Sequence, residues 1–119
     1  MIRALTILLL MTAPALAHEW YSEKRDPVYS NQSCCGGEDC AQLVLTPGVL
    51  AAEERGYRIR LTLQQARRIN PNAIAPIDAL VPWSRVQPSM DGNYHICIMP
   101  SLRNDARQGV YCFFEPPST

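Results

Sequence analysis

Alternation of apolar and polar residues is the clearest signal in the chain. Tyr57, Ile59 and Leu61 take every second place with Arg58 and Arg60 between them, which predicts a strand whose arginines face solvent. Gln42–Thr46 is apolar and β-prone and ends at the turn pair Pro47-Gly48. Glu53-Glu54-Arg55-Gly56 suits a hairpin connection, so these two segments are expected to lie antiparallel. Thr62-Leu63-Gln64-Gln65 has the form of a capping box, with Thr62 at the N-cap. A short helix is predicted from there to about Ile69, where Asn70-Pro71 stops it. Arg67 and Arg68 in its last turn suit the helix dipole, and as a pair they are also a candidate anion contact.

Between Asn70 and Pro88, four prolines (71, 76, 82 and 88) interrupt an apolar stretch, which suits irregular chain or edge strands. Leu80–Trp83 is expected to pack on the sheet, with Trp83 in the core. Met90–Asn93 reads as a turn, and Tyr94–Met99 follows as the strongest strand. Tyr94, Ile96 and Ile98 point to one face; His95, Cys97 and Met99 point to the other. Val110–Glu115 is the natural antiparallel partner, with Val110, Cys112 and Phe114 on one face. If Cys97 sits opposite Cys112, His95 lies across from Phe114. Upstream, His18–Gln32 has neither period and reads as an extended arm laid over the domain, anchored by Trp20 and Tyr21. These elements predict a β-rich α+β fold, an antiparallel sheet of about four strands with one short helix.

The first residues change the picture. Met1-Ile2-Arg3 is a short positive start, Ala4–Met11 an apolar run, and Ala15-Leu16-Ala17 a small-x-small pattern. Residues 1–17 therefore read as a cleaved secretory signal, since the run is too short for the about 20 residues a membrane helix needs. That leaves His18–Thr119 as a single exported domain, secreted or periplasmic, with no transmembrane segment in the mature chain. With Arg3 gone, the eleven basic side chains fall to ten against eleven acidic ones, and none are blocked together. This argues against a nucleic-acid partner, whose footprint is a basic patch.

An exported domain of this size gains from cross-links, and disulfides persist outside the cytosol. Five cysteines, Cys34, Cys35, Cys40, Cys97 and Cys112, allow at most two bridges within the chain and leave one odd. Cys34–Cys35 is the least attractive pair, because adjacent residues strain the intervening peptide. Cys97 and Cys112 either bridge each other or both reach toward Cys34–Cys40; in both cases His95 sits near the cluster. The odd thiol is a candidate for thiol–disulfide exchange. A zinc site from Cys34, Cys35, Cys40, His95 and Cys97 is weaker, since C-C-x4-C is not a paired knuckle and oxidation competes for thiolates.

Cleavage after Ala17 would make His18 the first residue, offering copper(II) an α-amine and an imidazole together. A second histidine, His95, would complete a planar three-nitrogen set. This looks like the histidine brace of lytic polysaccharide monooxygenases and related copper-binding secreted proteins, with Tyr94 or Tyr111 near the axial position. The likeness covers two residues and a cleavage site. Other enzyme classes find no support: there is no G-x-S-x-G, no C-x-x-C and no phosphate loop.

Four ordered motifs, H-x-W-Y, C-C-G-G-E-D-C, D-G-N-Y-H-I-C and C-F-F-E-P-P, span most of His18–Pro117. Together they resemble a family of small secreted proteins of proteobacteria. The resemblance implies a periplasmic or secreted protein and carries no activity, cofactor or catalytic residue to transfer. The expected function is a non-enzymatic binding or envelope-associated structural module, with a protein or envelope partner. Copper binding through His18 and His95 is the competing class, and thiol exchange the third.

Overall fold

The computed structural model describes residues 19–28, 33–34, 39–100 and 107–117. Its strands are β1 (Cys40–Gln42), β2 (Leu50–Ala52), β3 (Gly56–Leu61), β4 (Ile77–Pro82), β5 (Val86–Pro88), β6 (His95–Ile98) and β7 (Val110–Glu115). Helix α1 is a single turn, Glu19–Ser22, and α2 spans Leu63–Ile69. The fold is β-rich α+β, held by two disulfides. The strands divide into two sheets instead of one: a four-stranded sheet in the order β1-β6-β7-β5 and a three-stranded sheet β2-β3-β4. Only β5 against β7 is parallel. The proline-rich segment supplies β4 and β5, each an outer strand of its sheet, where a missing backbone donor costs least.

The four-stranded sheet is the middle layer of the domain. On one face, Ile96, Ile98, Val110 and Phe113 pack with Ile59, Leu61, Ile77, Ala79 and Val81 of the other sheet and with Ala66 and Ile69 of α2. On the opposite face, Cys40, Cys97, Cys112 and Phe114 pack with Tyr21 and Cys34 of the N-terminal arm, and Trp20 and Tyr111 lean on this second cluster. Coverage on both sides explains why all four residues of β6 are buried, polar His95 included.

The β6–β7 register places His95 opposite Phe114 and Cys97 opposite Cys112, as the alternation predicts. Beyond Cys97 the register shifts, so that Ile98 faces Val110 and Tyr111 is the extra residue of a β-bulge. The bulge carries Val110 to the main core with Phe113, whereas strict alternation predicts it beside Cys112 and Phe114.

Helix α2 begins as its capping box predicts. Gln65 N–H donates to Thr62 Oγ1 at 3.2 Å and Thr62 N–H to Gln65 Oε1 at 2.8 Å. Asn70 ends the helix and turns its side-chain amide inward, donating to the Ile98 carbonyl at 3.0 Å.

Three further sequence expectations are corrected. The hairpin partner of β3 is Leu50–Ala52, in the register Leu50↔Ile59 and Ala52↔Tyr57, and not Gln42–Thr46. Gln42 instead closes β1 against His95, and Leu43 N–H extends that pairing to the Tyr94 carbonyl at 2.8 Å. Trp83 lies in a 3-10 turn and is 45% exposed. Its indole N–H donates to the Glu54 carbonyl at 2.9 Å, which holds the ring at the rim, edge-on to Tyr57. Finally, the arm is not wholly extended, because it opens with α1. Its anchors are the two predicted, with Tyr21 1% exposed.

At Gly56, β3 comes too close to β4 to leave room for a side chain. A Cβ at this position would lie 2.0 Å from the Val81 carbonyl oxygen, so no other residue fits without moving the strand.

Candidate functional site

The chemistry-bearing residues gather on the arm-covered face of the four-stranded sheet. Period-two alternation on β6 aims His95 at this face, and α1 brings Tyr21 and Trp20 over it. Both ring nitrogens of His95 are engaged. Nδ1 is hydrogen-bonded to the Tyr21 hydroxyl, and Nε2 lies 2.6 Å from Asp91 Oδ1. The Trp20 ring meets the imidazole edge-on at 5.0 Å and Phe114 at 4.9 Å.

Asp91 comes from the turn before β6, where Gly92 takes the positive φ of +79° that the turn requires. Burial works against its charged form, but hydrogen bonds from His95, the Asn93 N–H and Ser89 outweigh it. Together they hold the carboxyl down to about 2. Asp91 is thus an ionised acceptor at neutral pH. In the neutral imidazole, Nε2 then carries the proton and donates to Asp91, leaving the Nδ1 lone pair to accept from Tyr21 O–H. The result is a directed chain, Tyr21 to His95 to Asp91. It has the order of a catalytic relay, yet its hydroxyl end is buried, with Tyr21 1% exposed.

A second polar connection ties the arm to the bulge. Asp26 and Arg85, 2% and 5% exposed in their side chains, pair at 2.7 Å between Oδ2 and Nη2. The same Nη2 donates to the carbonyls of Val110 at 2.9 Å and Tyr111 at 2.8 Å. Those are the two residues whose ladder pairing the bulge disturbs, so the guanidinium serves backbone acceptors that regular pairing would have met.

The disulfides complete the attachment. Cys34 of the arm is bonded to Cys112, and Cys40 of β1 to Cys97, which lies directly opposite it. Of the two pairings left open by the sequence, both downstream cysteines reach the N-terminal cluster. The odd cysteine by count is Cys35, which lies outside the described residues, as does His18. With Cys34, Cys40 and Cys97 oxidised, the zinc scheme loses three of its thiolates. Among the described residues, no group of three or more His, Cys, Asp or Glu side chains converges to hold a metal. Tyr94 packs on the opposite face, against the main core, and the tyrosine beside His95 is Tyr21. Tyr111 lies on the arm-covered face, below the Arg107 guanidinium at 5.1 Å.

Sequence reasoning placed His95 beside the cysteines but missed Tyr21 and Asp91 as its partners and overlooked Asp26–Arg85 altogether. Asp91 carried a usable signal, standing four residues before His95 in a predicted turn. Comparison with known protein families, curated proteins and solved structures finds no match.

Proposed function

We propose that this is a non-enzymatic exported domain acting as a binding or envelope-associated structural module. The observation that carries the reading is the state of His95. The histidine on which a triad or a copper brace would depend has both nitrogens committed, one of them to a sealed tyrosine. In this reading, the Tyr21–His95–Asp91 chain is a latch that fastens the N-terminal arm. Two disulfides, which persist only in oxidising compartments for most organisms, support export, as does the signal-like Met1–Ala17.

Copper held by His18 and His95 is the second reading, and one observation favours it. Trp20, two residues after His18 in the chain, packs against the His95 ring. Copper ligation would require His95 to give up Tyr21 or Asp91. A copper(II) titration followed by electron paramagnetic resonance, on protein beginning at His18, separates the two. The module reading predicts weak binding that survives His95→Gln. One tight, nitrogen-rich planar site lost in His95→Gln would overturn it.

A further inference from the structure

Beside β1, on the α2 side of the four-stranded sheet, the chain leaving β1 and the helix line a largely apolar cleft of about 210 Å³. Its apolar walls are Ala41, Leu43 and Val44 on one side and Leu61 and Ile69 on the other, with Gln42, Thr46 and Gln65 also lining it. That volume exceeds the roughly 150 Å³ of an apolar cavity that takes up benzene. Val44, 67% exposed, leaves an apolar side chain of the cleft open to a ligand from outside.

Among the described residues, the only charged side chain lining this cleft is Arg68. The two arginines of the last α2 turn are not equivalent. Arg67 turns back and donates from Nε to the Ala73 carbonyl at 3.1 Å. Arg68 is exposed at the rim and makes no ion pair with any described residue. An apolar cavity with a single cation at its edge fits a ligand with an apolar body and one anionic end. A guanidinium meets a carboxylate in two parallel hydrogen bonds, with the directionality that a point charge lacks.

We infer that this cleft binds a small monocarboxylate with an apolar tail, the tail between β1 and α2 and the carboxylate on Arg68. The inference rests on the reading of the protein as a binding module and gives that module its ligand class. It does not depend on how His95 is used. Apolar burial supplies the affinity, and Arg68 supplies the choice of anion over cation or neutral analogue.

The test is a two-dimensional amide NMR titration of the oxidised protein with octanoate, octan-1-ol and octylammonium. Octanoate is expected to shift amides in residues 41–46 and 61–69 and to bind about 3- to 10-fold more tightly than octanol, with octylammonium weakest. Arg68→Gln, an exposed change that leaves the core untouched, should bring octanoate down to the level of octanol. Val44→Asp, equally exposed, should set a carboxylate against the ligand and abolish octanoate shifts. The proposal is overturned if octanoate leaves the cleft amides unmoved, if the three probes bind alike, or if Arg68→Gln leaves their order unchanged. None of these results bears on copper binding, so a failure here is distinct from a failure of the module reading.

Discussion

Cys97 lies directly opposite Cys112 on neighbouring strands, and the two are not bonded to each other. Each is tied instead to the N-terminal part of the chain, Cys112 to Cys34 across 78 residues and Cys97 to Cys40 across 57. The consequence is a layered attachment. One bridge reinforces the β1–β6 ladder, and the other clamps the arm down on the same face of the sheet.

Non-reducing peptide mapping should therefore recover Cys34–Cys112 and Cys40–Cys97 and no Cys97–Cys112 species. The two loops are close enough in length that entropy alone makes the bridges similar in strength, each about 2–5 kcal/mol. They differ in what they release. Replacing Cys34 and Cys112 by serine should loosen the arm and red-shift Trp20 fluorescence in native buffer. Replacing Cys40 and Cys97 should lower stability without that shift.

The Asp26–Arg85 pair is buried on both sides, so removing Asp26 takes a carboxylate counter-charge from a buried guanidinium. Asp26→Ala should destabilise by about 3–5 kcal/mol, measured by urea unfolding under oxidising conditions. A loss below about 1 kcal/mol would mean that the arm does not hold this position in solution.

Tyr21→Phe isolates the hydroxyl, because the ring keeps its contacts with Trp20 and Phe114. Loss of the bond to His95 Nδ1 leaves a buried acceptor unmet and should cost about 1–3 kcal/mol. Tyr21→Ala adds a cavity and should cost more, about 3–5 kcal/mol, by analogy with other large aromatic truncations.

Asp91 governs one part of the acid limb. Its folded pKa, about 2, lies below the ordinary 3.8, so its contribution to stability is complete above the ordinary value. That contribution is lost as the pH falls from there through about 2. Asp91 is 45% exposed, which keeps the effect modest through solvent screening. Urea unfolding at several pH values across this window should show a shallower acid limb for Asp91→Asn than for the unaltered protein.

Much of this architecture is legible in the sequence where a local rule has no competitor. The capping box at Thr62 places α2, and the alternation on β6 puts His95 and Cys97 on one face with Ile96 and Ile98 on the other. Local rules fail where the deciding partner is distant. Gln42–Thr46 reads as a hairpin strand for β3, but pairing with β6 claims its start and leaves Leu50–Ala52 to form the hairpin. Val110 is misassigned because nothing local marks the bulge at Tyr111, whose carbonyl is met by Arg85 from another strand connection. Trp83 reads as core from its apolar neighbours, yet a backbone acceptor at Glu54 holds it outside. The site is legible in part for the same reason: period two aims His95, but only the folded arm delivers Tyr21 to it.

The central claim, that His95 is a latch for the arm, is tested most directly by long-range ¹H–¹⁵N NMR of the His95 ring near neutral pH. The spectrum should be taken with and without one equivalent of copper(II), on protein beginning at His18. The account predicts that the ring, when neutral, is a single tautomer protonated at Nε2 with Nδ1 accepting a hydrogen bond, and that its cross-peaks survive copper. A ring averaging between tautomers, or one whose signals vanish selectively on adding copper, would contradict it.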